Sequence, residues 1–150
     1  MSAPNPVNIL LVEDNPDHAE LTRRAFDNGH LVNPVFWVKD GAEALDFLHQ
    51  RGPYSDRARA PRAGLIVLDL NLPKVSGLEV LRHIKSDAGL RMTPVIVLTT
   101  SSREEELLAS YEAGVNSYVT KPVRFADFME RVRALQLYWV LTNACPALGG

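Results

Sequence analysis

Short, almost entirely apolar runs alternate along this chain with segments of helical periodicity. Continuous runs rich in branched aliphatic residues are typical of strands buried on both faces of a sheet. Four such runs lie at residues 7–12, 35–38, 65–68 and 95–98, and a short fifth strand is predicted at 117–120. Strict alternation of strand and helix predicts right-handed crossovers, which place helices on both faces of a parallel sheet. We therefore expect an α/β fold built as a three-layer sandwich.

The segments between the runs carry residues that start and stop helices. Asn15-Pro16 opens the first predicted helix and Gly29 closes it, whereas Asp40 caps a second helix predicted to end at Gly52. Residues 53–64 contain two prolines and three arginines without helical periodicity, which predicts a solvated loop. Three further helices are predicted around residues 80–84, 104–113 and 125–135, so we expect five in all.

Length and composition limit the class of protein. A chain of 150 residues, 46% hydrophobic and 23% charged, favours one domain over residues 1–150. The net charge of −2 disfavours direct DNA binding through a broad basic surface. No run approaches the ~20 apolar residues that span a bilayer, and we expect no membrane contact. The single cysteine, Cys145, fits a reducing compartment, so the predicted location is cytoplasmic.

Carboxylates follow two of the apolar runs. Glu13 and Asp14 come directly after the first strand, and Asp69 comes directly after the third. In an open parallel sheet the crevice lies outside the carboxyl ends of the strands, where the strand order reverses. Carboxylate oxygens are the ligands that Mg²⁺ prefers, and three clustered carboxylates repel one another unless a cation offsets their charge. We expect a site for Mg²⁺ or Mn²⁺; the alternative is three separate, solvated acids.

The other two strand ends carry a hydroxyl and a cation. Thr99 ends the fourth strand and Lys121 follows the fifth; alone, the first is most often a turn or cap residue and the second a solvated charge. Together with the carboxylates they suit phosphoryl transfer, in which catalysis is mostly positioning and charge neutralisation. Asp69 would attack phosphorus, the metal and Lys121 would neutralise charge, and Thr99 would bond a phosphoryl oxygen.

With these strand-end residues the chain resembles the receiver domains of response regulators in two-component signalling. The matching segments are residues 11–15, 67–73, 76–78, 98–101 and 118–122. The resemblance covers about residues 7–137 and leaves a helix extension and tail at 138–150. It implies a flavodoxin-like fold with a five-stranded parallel sheet in the order 2-1-3-4-5 and five helices.

The resemblance also implies a role for each strand-end residue. Asp69 would accept a phosphoryl group from a sensor histidine kinase. Asp14, Asp69 and the backbone carbonyl of Asn71 would hold the metal, with Glu13 in support, and Lys121 would pair with the phosphoryl group. Such a domain is a phosphoacceptor in a phosphorelay and not a separate enzyme.

Two further residues would transmit the signal. The resemblance implies that Thr99 is the switch hydroxyl and that Tyr118 is the aromatic residue whose rotamer follows it; Tyr118 as ordinary core is the alternative. It also implies a cis peptide bond before Pro122, the kind of bond that tolerates this conformation. The chain departs from the family in having Glu13 where aspartate is frequent and Thr100 where many members have alanine.

Within the family the chain is most similar to single-domain regulators that partner bacterial and cyanobacterial phytochromes. This narrower likeness rests on Tyr54 in the long loop, on residues 14–16 and 98–101, and on the pair Tyr138-Trp139. It implies a bacteriophytochrome as a candidate kinase. The apolar tail predicts a homodimer through the face formed by helix four, strand five and helix five, unless the tail folds back on its own domain.

Three other functions are compatible with parts of the pattern. A haloacid-dehalogenase-like hydrolase also uses a strand-end aspartate and Mg²⁺, but it generally has a second aspartate where this chain has Asn71. A phosphorylation-independent adaptor would not need the set of Asp69, Thr99 and Lys121. A flavin or nucleotide binder would need a phosphate-binding loop after the first strand, where Glu13 and Asp14 would repel phosphate in the absence of a metal.

Overall fold

The computed structural model describes residues 7–72, 74–100 and 117–135, and these form a five-stranded parallel sheet. The strands are β1 (Asn8–Val12), β2 (Val35–Val38), β3 (Ala63–Asp69), β4 (Val95–Thr99) and β5 (Tyr118–Thr120). Their order across the sheet is β2-β1-β3-β4-β5. The predicted strand order and fold class are therefore confirmed.

Four α-helices lie within the described residues. They are α1 (Pro16–Asn28), α2 (Gly41–His49), α3 (Gly77–Ser86) and α4 (Phe125–Ala134). The predicted helix at 104–113 lies outside the described residues, so α4 is the last of the five helices predicted from the sequence. Side chains cap the first three helices: Asn15, Asp40 and Ser76 each accept a backbone N–H of the first turn. The starts at Asn15 and Asp40 agree with the prediction.

The two faces of the sheet bury two separate cores. Successive side chains of a strand point to opposite faces, so Leu10 and Val12 pack with α2 and α3, whereas Ile9 and Leu11 pack with α1 and α4. On the second face the rings of Phe26 and Phe128 lie 4.7 Å apart and tie α1 to α4. This layering leaves the carboxyl edge of the sheet open to the loops.

Two predicted boundaries were wrong by two or more residues. The helix α2 ends at His49 and not at Gly52, because Gln50 takes the left-handed conformation (φ 54°) and closes the helix. The loop after it contains a short 3₁₀ turn (Gly52–Tyr54). β3 begins at Ala63, two residues earlier than predicted, because Ala63 pairs with Asn8 of β1; the missing side chain of Gly64 leaves room there for Val7.

Some predictions concern residues outside the described part of the chain. These are Cys145 and the apolar tail with Leu137, Tyr138, Trp139 and Leu141. Within the described residues, none of the helices has the length and apolar character needed to cross a bilayer.

Candidate functional site

The register of the sheet brings the predicted site residues to one edge. Val12 pairs with Leu68 across β1 and β3, so Glu13 and Asp69 follow as neighbours. Asp69 in turn pairs with Leu98, one residue before Thr99. On the far side Thr99 pairs with Thr120, which places Lys121 just beyond β5. The predicted convergence of the strand ends is therefore what the topology produces.

Lys121 holds the two buried carboxylates together. Its Nζ lies 2.7 Å from Glu13 Oε2 and 3.2 Å from Asp69 Oδ2. The side chain of Glu13 is 0% exposed, that of Asp69 2% and that of Lys121 9%. Buried charges are tolerated when they are paired and hydrogen-bonded, and this contact across 108 residues of sequence meets that condition.

The site nevertheless holds more negative charge than one lysine neutralises. Burial raises the pKa of Asp69, and the neighbouring Glu13 carboxylate raises it further, to about 7; Lys121 opposes this only in part. Burial by itself lowers the pKa of Lys121, but the contacts with Glu13 and Asp69 outweigh it, so that pKa lies above its usual value. Both shifts indicate a crevice that favours an additional cation.

The loop after β3 fixes the orientation of Asp69. The Asn71 backbone N–H donates to Asp69 Oδ1 over 3.2 Å, which leaves Oδ2 for Lys121. Gly77, the first residue of α3, contacts this loop, and its N–H donates to the Leu70 carbonyl. A Cβ at Gly77 would lie 2.5 Å from the Asp69 carbonyl oxygen, so only glycine allows this close approach.

The oxygen donors of the crevice fit a hard divalent cation. One carboxylate oxygen from each of Glu13, Asp14 and Asp69 lies within 4.8 Å of the others. The side chain of Asp14 is exposed, whereas the other two are buried. A set of two or three oxygens with one side open to water is the arrangement in which Mg²⁺ keeps several of its own waters.

The two predicted switch residues occupy different environments. Thr99 is fully buried at the end of β4. Tyr118 is half-buried at the start of β5, and the guanidinium of Arg131 from α4 lies 5.7 Å from the centre of its ring. The predicted cis peptide bond between Lys121 and Pro122 is confirmed.

Sequence reasoning missed two residues that contact this site. His18 Nδ1 lies 3.0 Å from Lys121 Nζ, and the Trp37 indole Nε1–H donates to the Glu13 carbonyl oxygen over 2.7 Å. His18 is in the first turn of the helix that follows β1, and the N-terminus of such a helix faces the crevice; this position was the available signal. No sequence signal marked Trp37, because its side chain reaches the site from an adjacent strand.

A cavity of about 210 Å³ adjoins Lys121 between α1 and the segment after β5. Its walls include His18 and Thr22 from α1, together with Thr100 and Pro122. Thr100, at a departure from the usual family pattern, therefore lies on the approach to the lysine.

Comparison with known proteins identifies the family. The response regulator receiver domain matches residues 9–133 of the chain. The chain belongs to this family. Receiver domains are phosphoacceptor domains of signalling, in which phosphorylation on an aspartate is typical.

The chain is similar to several regulators associated with phytochromes. Response regulator Rcp1 from Synechocystis is 40% identical over 142 residues, which are 95% of each chain. The structure of the bacteriophytochrome response regulator AtBRR is 45% identical, with a TM-score of 0.85 over 91% of this chain and 96% of that one. The Mn²⁺-bound form of Rcp1 superposes with a TM-score of 0.71 over 95% of this chain and 100% of that one.

A regulatory protein that is not associated with phytochromes by name has a similar sequence identity to this chain. The probable methanogenesis regulatory protein FilR2 from Methanothrix harundinacea is 43% identical over 148 residues, 97% of this chain and 92% of that protein. The chain is thus a receiver response regulator homologous to the phytochrome regulators.

Proposed function

We propose that Asp69 is the residue that accepts the phosphoryl group, and that a sensor histidine kinase is the donor. One observation carries the proposal: the Asp69 carboxylate is held beside Glu13 by Lys121 Nζ, 3.2 Å from its Oδ2, at the carboxyl edge of the sheet. The similarity to AtBRR and Rcp1 makes a bacteriophytochrome the first kinase to test.

The proposed cofactor is Mg²⁺, which Mn²⁺ can replace. Asp14, Asp69 and the carbonyl of Asn71 would hold the ion with Glu13 in support, and the Mn²⁺-bound form of Rcp1 supports a metal in this family. When bound, the ion neutralises charge on the phosphoryl oxygens and so favours transfer. The raised pKa of Asp69 supports this assignment, because burial and the neighbouring Glu13 carboxylate both disfavour the negative charge of Asp69, which a bound cation would offset.

The chain's own groups perform the remaining steps. The ionised Asp69 carboxylate attacks phosphorus, forming an O–P bond as the N–P bond of the donor histidine breaks. Lys121 then exchanges its contact with Asp69 for one with a phosphoryl oxygen, and Thr99 donates its hydroxyl to another. The phosphoryl group adds about −1.5 to −2 charges, which Lys121, already positioned in the crevice, partly neutralises.

The proposed output is a change at the outer surface of β5 and α4. Movement of Thr99 toward the phosphoryl group would leave space into which Tyr118 turns, and Tyr118 would then leave its contact with Arg131. Such a switch needs two discrete packings of the same residues. If Tyr118→Ala leaves phosphorylation-dependent partner binding unchanged, this part of the proposal is wrong.

The same surface is the proposed dimer interface, together with the segment 104–113. In the described residues this surface contains the charged side chains of Asp127, Glu130 and Arg131 next to β5. These side chains could form ion pairs with those of a copy related by a two-fold axis. Sedimentation velocity over a hundredfold concentration range tests this, and an unchanging monomer mass contradicts it. We further propose a cytoplasmic location, where the kinase has ATP, an output through protein contacts with no direct DNA binding, and no independent enzymatic turnover.

Intact mass tests the phosphoacceptor. The chain is incubated with acetyl phosphate and Mg²⁺ in parallel with Asp69→Asn and with Asp27→Asn, an exposed aspartate at the end of α1 that serves as the matched control. We expect one phosphoryl adduct on the parent and on the control, and none on Asp69→Asn or without Mg²⁺. An adduct on Asp69→Asn contradicts the assignment, and no adduct on any variant favours the phosphorylation-independent adaptor.

A further inference from the structure

A second group of metal-binding side chains lies at the edge of the sheet opposite Asp69. His49 is the last residue of α2, His83 is in the last turn of α3, and Asp87 follows α3 directly. In a parallel fold a helix that leaves the carboxyl edge of the sheet ends near the amino edge. The two helices pack side by side on one face of the sheet, so their ends converge there.

These side chains present nitrogen and oxygen ligand atoms to one point. His49 Nε2 lies 2.7 Å from His83 Nε2 and 3.8 Å from Asp87 Oδ2, and all three ligand atoms are within 4.8 Å of one another. The two imidazole rings are nearly perpendicular, with their centroids 5.0 Å apart. We infer that His49, His83 and Asp87 form a binding site for a divalent transition metal ion that accepts both nitrogen and oxygen ligands. Zn²⁺ is the ion we propose, because it is redox-inactive.

The distances require little adjustment to hold such an ion. Zn–N and Zn–O bonds of about 2.0–2.1 Å in a tetrahedron separate the ligand atoms by roughly 3.3 Å. The two imidazole nitrogens would therefore move apart by about 0.6 Å, and Asp87 Oδ2 would approach His49 Nε2 by about 0.5 Å. An ion between the nitrogens replaces the single hydrogen that their present contact shares.

The surroundings orient the ligands. Asp87 Oδ1 accepts the Gly89 backbone N–H over 2.7 Å, which leaves Oδ2 facing His49. Hydrogen bonds of this kind to the second oxygen of a carboxylate hold a metal ligand in position. The carboxyl ends of α2 and α3 also carry the negative partial charge of their helix dipoles, which favours a cation at this place.

Solvent can reach the cluster. The side chains of His49 and Asp87 are 25% and 29% exposed. Both line a cavity of about 270 Å³ that opens between α2 and the loop before β3. Three protein ligands beside a cavity leave one coordination position for water, as in other three-ligand zinc sites.

The chemistry of the ligands separates this site from the carboxylate crevice. Two imidazoles and one carboxylate select Zn²⁺, Cu²⁺, Ni²⁺ or Co²⁺ over Mg²⁺, which prefers oxygen alone. The inference does not rest on the phosphoacceptor role of Asp69, because the two groups share no residue. Either can fail without the other.

Calorimetric titration of the full chain with ZnCl₂ in saturating Mg²⁺ tests the site. We expect one Zn²⁺ per chain, and loss of that binding in His49→Gln and in His83→Gln. Asp87→Asn keeps the contact with Gly89 and should weaken binding about tenfold or more, because even groups that only orient a ligand contribute 10–100-fold. Co²⁺ in place of Zn²⁺ should give the visible absorption of a bound ion in the parent but not in His49→Gln or His83→Gln.

Three control variants exclude the other sources of Zn²⁺ binding. His30→Asn removes an exposed histidine; its backbone is left-handed, a conformation that asparagine tolerates. Asp14→Asn removes an exposed carboxylate of the acidic crevice, and Cys145→Ser removes the thiol. Each should bind Zn²⁺ as the parent does, and Zn²⁺ should raise the unfolding midpoint of all three. No bound Zn²⁺ in the parent, or equal binding in His49→Gln and His83→Gln, overturns the inference.

Discussion

Replacing Asp69 by asparagine should stabilise the metal-free protein at pH 8. In the parent the ionised Asp69 is buried next to Glu13, and its pKa rises from 3.8 to about 7. A pKa difference of about 3 corresponds to roughly 4 kcal/mol of cost to the folded state when the group is ionised. Asparagine removes this cost, in which the attraction to Lys121 is already included, but it buries two amide N–H donors whose incomplete pairing costs about 2 kcal/mol. We therefore expect a net gain of about 2 kcal/mol in the free energy of unfolding.

The gain should depend on pH in a defined direction. Because the pKa is higher in the folded than in the unfolded state, the folded protein binds the proton more tightly between pH 4 and 7. The contribution of Asp69 to stability is therefore full below about pH 4, falls as the pH rises through this window, and is constant above about pH 7. The difference between Asp69→Asn and the parent should be largest at pH 8 and much smaller at pH 5.

Bound Mg²⁺ should make the parent more stable than Asp69→Asn. An ion bound only by the folded state at 100 times its Kd adds about 2.7 kcal/mol, and the parent has the complete set of carboxylates. Urea unfolding of the parent, Asp69→Asn and the exposed control Asp27→Asn at pH 8, 6.5 and 5, with EDTA and then with Mg²⁺, measures both effects. Asp27→Asn should follow the parent throughout.

A less stable Asp69→Asn protein at pH 8 in EDTA would refute the argument, because it would mean that the pair with Lys121 outweighs carboxylate repulsion. A stability difference that does not change between pH 8 and pH 5 would show that the raised pKa of Asp69 is not its source.

Three further substitutions test single contacts of the site, each measured by urea unfolding in EDTA. Lys121→Met leaves Glu13 and Asp69 buried without their shared cation and should cost about 3 kcal/mol; a cost below 1 kcal/mol would mean that the lysine adds little. Trp37→Phe removes the indole donor of the Glu13 carbonyl while keeping an aromatic ring, and should cost about 1–2 kcal/mol; no loss would show that water replaces the donor. Gly77→Ala places a Cβ 2.5 Å from the Asp69 carbonyl oxygen and should cost about 2 kcal/mol with slower phosphorylation by acetyl phosphate. An unchanged phosphorylation rate there would mean that the loop after β3 adjusts without moving Asp69.

Local rules predicted most of the fold and failed where the backbone departs from them. The strands were recognisable because buried parallel strands are continuous apolar runs. The first two helix starts were recognisable because Asn15 and Asp40 are good caps. The predicted end of α2 was wrong, because glycine is the usual residue in the left-handed conformation that ends a helix, whereas Gln50 takes this conformation here. The side-chain amide of Gln50 donates to the carbonyl of Ala60, a contact across ten residues that periodicity does not reveal.

The sequence by itself determined which residues reach the carboxyl edge of the sheet, because strand ends in a parallel sheet share one side and Glu13, Asp14, Asp69 and Lys121 all stand at strand ends. Only the tertiary structure decided which atoms touch. His18 meets Lys121 and Trp37 meets Glu13 because neighbouring elements pack at particular distances and angles. The same holds at the opposite edge, where His49 and His83 are 34 residues apart in the chain and 2.7 Å apart in space. Patterns along a chain specify faces and edges, whereas contacts between side chains depend on how those faces pack.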